Sequence, residues 1–185
     1  RYVPANEIDA ILSAPPVDRG ARISRATEDQ WFERKGSRVS AQTLGQALVS
    51  FANAEGGTIV VGVHNGEVEG MNAQGTKRIN ELRQASIDHT SPPVRFNCTE
   101  IECVNSQGIR DVLLVFRVDP GERVHEMKNG DVYLRIGDES RKLNFPQRQE
   151  LEFDKGQSQY DGMALNGYTV DDLRGPLLDN YREAT

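Results

Sequence analysis

FANAEGGTIVVGVHNG, residues Phe51 to Gly66, decides how this chain folds. Its opening residues close an apolar helical pattern, and the Gly56-Gly57 pair stops that helix where positive φ is needed. Thr58–Val63 then forms a near-continuous β-branched run. A short run of this kind, bounded by turn residues, suits a strand covered on both faces. Asn65-Gly66 signals a two-residue hairpin, with Val68–Met71 returning as the partner strand. Just upstream, TEDQWFERKGSR (Thr27–Arg38) is dense in acids and bases and holds the single Trp. The two patches are expected to meet at the functional site.

Outward from this centre, Trp31–Lys35 reads as a strand. Ser40 reads as the N-cap of a helix with Ala41, Leu44, Leu48 and Phe51 on one face. Residues 1–26 predict one short amphipathic helix, capped by Asn6 and stopped by Pro15-Pro16, that straps onto the body. Gly70-x-x-x-x-Gly75-Thr76-Lys77 looks like a phosphate loop, but Thr precedes Lys, the reverse of the order such a loop needs. It reads as a turn into a helix over Thr76–Asp88. Val94–Val104 is a strand whose apolar alternation changes parity, which predicts a bulge at Thr99-Glu100. Ile109–Val118, the most apolar strand, is expected at the centre of the sheet.

Val124–Lys128 and Asp131–Ile136 predict a hairpin about Asn129-Gly130, with Tyr133 and Arg135 on its outer face. Asn144 caps a last helix. Residues 156–168 have the composition of a linker, and 169–185 read as the start of a truncated C-terminal region. The expected fold is α+β: a single domain over 27–155 with a mixed, largely antiparallel sheet of about six to seven strands and two main helices.

Charged residues make up 27% of the chain and apolar ones 37%, as in ordinary globular proteins. No apolar run approaches the length that crosses a bilayer. The chain does not begin with Met and reads as a piece of a longer one, with no signal-peptide pattern at its start. Net charge is −6, yet residues 150–185 hold eight acids against three bases, while Arg19–Arg38 holds six bases against three acids. A near-neutral body with a basic entry segment remains able to bind phosphates. Cys98 and Cys103 match no zinc spacing and lie too far apart on one strand for a disulfide. They read as buried, reduced and cytoplasmic.

FERK, then SFANAEGGTIVVGVHNGEVEG (Ser50–Gly70), the strand end RVDP (Arg117–Pro120) and YLRIGDESRKLNFPQRQEL (Tyr133–Leu151) resemble the AlbA-like domain of the Schlafen type. The resemblance covers Thr27 to Phe153. It implies a nucleic-acid-binding module, DNA-binding in its bacterial members, at the N-terminus of transcriptional regulators or helicase-like ATP-binding proteins. ATP would then belong to the part of the protein beyond this chain. Vertebrate relatives include metal-dependent endoribonucleases that cut transfer and ribosomal RNA. Their metal-binding acids carry over to Glu28 and Glu33, but the third falls on Asn65, which brings no charge to offset the dehydration of Mg²⁺ or Mn²⁺.

The residues themselves point to phosphate contact by Arg34, Lys35, Arg38, Tyr133, Arg135, Arg141 and Lys142. The first three cluster at the start of a helix, and Tyr133 with Arg135 could stack on a base and hold its phosphate. Gly56-Gly57 is a candidate phosphate loop. The leading expectation is a non-catalytic, self-associating nucleic-acid-binding module in which these cations share one groove. The alternatives are an endoribonuclease using Mg²⁺ or Mn²⁺, and an assembly or nucleotide-sensing unit.

Overall fold

A computed structural model describes residues 4–165. The chain opens with helices α1 (Pro4–Leu12) and α2 (Pro16–Arg25), then strand β1 (Phe32–Lys35). Helix α3 (Ala41–Asn53) crosses over to β2 (Gly57–Val61), which lies parallel to β1. The pair β3 (Val63–His64) and β4 (Glu67–Val68) leads through a 3-10 turn to α4 (Gly75–Arg83), α5 (Ala85–His89) and β5 (Thr90–Ser91). Next come β6 (Phe96–Val104), β7 (Arg110–Val118), β8 (Glu126–Met127), β9 (Tyr133–Ile136), β10 (Glu139–Lys142) and α6 (Phe145–Leu165).

The principal sheet runs β1-β2-β7-β6, with only β1–β2 parallel. The remaining strands form three two-stranded ladders, β3–β4, β5–β8 and β9–β10. The class is α+β with a mixed sheet, as the pattern predicts, but four strands build that sheet where six to seven were expected. Gly62 separates β3 from β2, at a φ of 121°. The later short strands pair among themselves.

Both faces of the sheet are covered, which is why β2 and β7 read as continuous apolar runs. On one face Ile59, Val61, Leu114 and Phe116 pack against Leu44, Leu48 and Phe51 of α3. On the other, Val60, Leu113 and Val115 pack with Ile8 and Ile11 of α1 and Ile23 of α2. Each such side chain, withdrawn from water, contributes about 1.5–3 kcal/mol. Ser40 caps α3 as predicted, its hydroxyl accepting from the Thr43 N–H at 3.0 Å. Asn65-Gly66 turns the β3–β4 hairpin with φ of 49° and 80°.

Four local expectations are corrected. Pro16 does not merely stop a helix; it starts α2, since its missing N–H costs nothing in a first turn. Helix α1 begins at Pro4, so Asn6 lies inside it. β6 carries no bulge: its register with β7 is unbroken from Phe96↔Val118 to Val104↔Arg110. The parity changes because Phe96 and Cys98 pack on the α3 side, whereas Ile101 and Cys103 pack on the α1–α2 side. Finally, Asn129-Gly130 does turn the chain, but β8 pairs with β5 and β9 pairs with β10 around Gly137-Asp138. Residues 1–144 form one unit, and α6 belongs to a second. That helix runs through Gly156 to Leu165, into the stretch whose composition suggested a linker. Residues 166–168 and the region 169–185 lie outside the described residues.

Candidate nucleic-acid interface

β1 distributes its four side chains to two faces, as a strand must. Phe32 and Arg34 point toward α2, Glu33 and Lys35 toward α3. The strand ends at a turn, Gly36–Val39, that enters α3. This turn, the end of β1 and the β3–β4 hairpin enclose an open cleft of about 700 Å³ at the C-terminal ends of the parallel pair. Ligands of sheets with parallel strands favour that end.

The cleft is lined by Glu28, Arg34, Lys35, Arg38, His64, Asn65 and Glu69, among others. The three predicted cations at the start of α3 therefore converge, but their heads are differently engaged. Arg34 Nη1 donates to Ile23 O at 3.1 Å and to Ala26 O, closing the C-terminal end of α2 where carbonyls favour a cation. Lys35 Nζ lies 3.5 Å from Glu33 Oε1 and is 24% exposed. Arg38 is exposed, with no partner for its guanidinium among the described residues. Two carboxylates share the walls: Glu28 Oε2 accepts from the Arg34 N–H at 2.6 Å, and Glu69 Oε1 from the Ser37 N–H at 2.8 Å.

Arg135 does not join them. Its side chain is fully buried beneath β1, where Nη1 binds Glu33 Oε1 at 3.0 Å. Nε and Nη2 donate to Asp29 O at 3.1 and 3.0 Å, and Nη2 also to Phe32 O at 3.1 Å. The guanidinium lies 4.7 Å from the centre of the Phe51 ring, a cation–π contact shielded from water. Tyr133 and Arg135 do share a face of β9, but it turns inward, so the expectation that the pair holds a base and its phosphate is corrected here. β9 turns Arg135 inward because Glu33 and three main-chain contacts satisfy it there. Gln30 completes the clamp, donating to Arg135 O at 2.8 Å and accepting from the Gly137 N–H at 2.9 Å.

Tyr133 is half-buried against the α3-side core, its carbonyl accepting from Asn53 Nδ2 at 2.8 Å. Asn53 also donates to His125 O at 2.9 Å and accepts from the His125 N–H at 2.8 Å, so it ties α3 to the His125 loop and to the start of β9. On the exposed strand β10 Arg141 pairs with Glu139 at 2.9 Å, and Lys142 pairs with Asp131, in the loop before β9, at 3.3 Å; neither cation lines the cleft. Gly56 and Gly57 lie near the start of β1, at the opposite end of the crossover unit. A Cβ on Gly56 would meet Val118 O at 2.5 Å, and one on Gly57 the Phe51 ring at 2.6 Å. Packing closes the approach that a phosphate loop would need.

The acids predicted to hold a divalent ion do not come together as one ligand set. Glu28 and Asn65 line the large cleft; Glu33 lines a smaller one of about 310 Å³ with Thr43, Gln46 and Glu139. One Glu33 oxygen is engaged by Arg135 and Lys35, and the other is buried without a hydrogen-bond partner. Among the described residues no group of three or more His, Cys, Asp or Glu is placed to hold a metal ion. An acid neutralised by a guanidinium offers little charge to a hard cation, so Mg²⁺ or Mn²⁺ does not fit this arrangement.

The family described as Schlafen, AlbA_2 matches residues 28–144, the span that holds both clefts and the Arg135 clamp. The chain belongs to the Schlafen AlbA_2 family. Within that span the F-A-N and Y-x-R-x-G stretches meet: Arg135 lies over the Phe51 ring, and Asn53 donates to the Tyr133 carbonyl. The family is related to nucleic acids. The fold is also similar to the crystal structure of the DIP2311 protein from Corynebacterium diphtheriae, at 18% identity and a TM-score of 0.50. That match covers 80% of this chain and 31% of the other, so the chain spans under a third of the length of that protein. No curated protein matches the chain. Among the described residues no helix is long and apolar enough to cross a membrane.

Sequence reasoning missed Glu69, Gln30 and the buried role of Arg135. Nothing in the spacing marks Glu69 as a wall of the cleft. The signal for Arg135 was the unmatched acid Glu33 in an otherwise buried strand, which needs a cation from elsewhere in the chain.

Proposed function

We propose that this Schlafen AlbA_2 domain binds nucleic acid, DNA in the first instance, through the cleft between β1, the Gly36–Val39 turn and the β3–β4 hairpin. The observation that carries the reading is Arg38, an exposed cation without a protein partner among the described residues, set at a cleft that Lys35 and Arg34 also line. Phosphate oxygens are the natural acceptors for such a group, and guanidinium binds them in bidentate fashion. Arg78, which donates to Val39 O, adds a further cation beside the same turn. The cleft has no Phe, Tyr or Trp in its lining. With the His64 ring as its single aromatic group, that lining is weighted toward cationic contact with the phosphate backbone, which favours a duplex. The domain would serve as the nucleic-acid-binding module of a larger regulator or helicase-like ATP-binding protein.

Titration of labelled duplex and single-stranded oligonucleotides over a range of salt concentrations tests the reading. Arg38→Ala should weaken duplex binding and lower the slope of log K against log salt by about 0.9, the value of one lost phosphate contact. Lys142→Ala, outside the cleft, should leave both nearly unchanged. Absence of duplex binding at low salt, or binding indifferent to Arg38→Ala, would overturn it.

A further inference from the structure

The anion-binding groups of the cleft already hold anions. Two main-chain N–H groups of the strand and turn that border it, those of Arg34 and the buried Ser37, donate to the carboxylates of Glu28 and Glu69 at 2.6 and 2.8 Å. A phosphate oxygen bound at the same wall would use these donors together with Arg38 and Lys35. The two carboxylates differ in how firmly they are placed. Glu28 is half-buried, in the segment that the Arg135 clamp fixes through Asp29 O. Glu69 is exposed and follows the two-residue strand β4, and among the described residues a single hydrogen bond holds its side chain. Moving it into water hydrates the carboxylate and leaves the buried Ser37 N–H in need of a new acceptor, which a phosphate oxygen supplies.

We infer that Glu69 is an internal competitor for the phosphate: its carboxylate occupies the Ser37 N–H beside Arg38 and must leave or be neutralised before nucleic acid binds fully. This rests on the cleft being the nucleic-acid site. Two negative groups cannot share one N–H donor. Even at a neighbouring position the carboxylate repels a phosphodiester, over a distance shorter than the screening length of ordinary salt. Glu69 thus sets the affinity of the cleft and makes occupancy depend on a second event, such as close approach of a cation to Glu69. Glu28, Arg34, Lys35, Arg38 and His64 also line the cleft, and Glu69→Gln leaves each of them unsubstituted.

Glu69→Gln keeps an oxygen that can accept from the Ser37 N–H but removes the charge. Its duplex affinity at low salt should rise by about three- to ten-fold over that of the unchanged protein. Glu55→Gln, which removes an equal charge from the exposed far end of α3, should change affinity much less. Thermal unfolding of each variant, read beside the titrations, shows whether the turn is intact. Equal or weaker binding by Glu69→Gln, in a folded protein whose binding is still reduced by Arg38→Ala, would overturn the competitor role and leave the cleft assignment standing. A gain in Glu55→Gln equal to that in Glu69→Gln would also overturn it, as an effect of net charge. Failure of both proteins to bind would remove the competitor together with the site.

Discussion

Replacing Arg135 by Ala removes a buried cation from beneath β1: the Glu33 carboxylate is left with Lys35 alone at 3.5 Å, and the carbonyls of Asp29 and Phe32 lose their guanidinium donors. The side chain of Arg135 is 0% exposed and that of Glu33 10%, so water cannot replace the lost contacts without opening the structure. Breaking one half of a buried ion pair costs about 3–5 kcal/mol, and loss of the stacking on Phe51 adds to it. In a chain of 185 residues each kcal/mol lowers the unfolding midpoint by roughly 2–4 °C, so the fall should be on the order of 10 °C. Urea unfolding followed by circular dichroism gives the free energy, and calorimetry the midpoint. Glu33→Leu combined with Arg135→Met removes both charges at once. It should be less destabilising than the sum of the two single changes, because no orphaned charge remains. A loss below about 1 kcal/mol for Arg135→Ala, in the range of a surface pair, would refute the burial of the clamp. So would strict additivity in the double variant.

Other expectations follow from single contacts. Ser40→Ala removes the cap of α3 and should cost about 1 kcal/mol in urea unfolding. Gly70→Ala should be poorly tolerated, since Gly70 has φ of 73° and an added Cβ would lie 2.1 Å from the Asp111 carboxyl carbon; loss of soluble folded protein or a lowered midpoint would register it. Burial pushes the thiols of Cys98 and Cys103 up to about 11, so a thiol reagent at neutral pH should label them slowly until denaturant is added. Because the folded values exceed the reference of 9.0, their stabilising contribution is complete below pH 9.0 and is lost as pH rises through about 11. Unfolding midpoints measured across that alkaline range should therefore fall, less so in Cys98→Ser. Mg²⁺ or Mn²⁺ should leave the unfolding midpoint unchanged, since Arg135 and Lys35 already neutralise Glu33. A clear metal-dependent rise would show that the acids rearrange around an ion.

Features encoded by neighbouring residues were the legible ones. The cap at Ser40, the helix end at Gly56-Gly57 and the Asn65-Gly66 hairpin each follow from a few consecutive side chains and their allowed backbone angles. The strand Gly57–Val61 was legible because a doubly covered strand has no polar face to alternate with. What the sequence withheld were decisions between distant partners. The parity of Tyr133 and Arg135 said correctly that they alternate with Leu134, but not that Arg135 would find an acid beneath β1. Charge by itself suggested the surface. The preference of β9 for β10 over the segment 124–128 likewise depended on two competing turns, each with a suitable glycine. Lys35 and Arg38 could be placed together from sequence because they sit within four consecutive residues of strand and turn. The distant Arg141 and Lys142 could not.

One four-residue strand, β1, answers to two masters: the hidden Glu33 bolts it to a hairpin about a hundred positions later, while Lys35 and the turn beyond it face the solvent. Mechanical security and surface chemistry are thus assigned to different side chains of a single ribbon. The tip at Asn65-Gly66, with nothing packed against Gly66, can lengthen or change character without slackening that bolt. A scaffold so divided keeps its shape while its outward-facing rim is free to be rewritten.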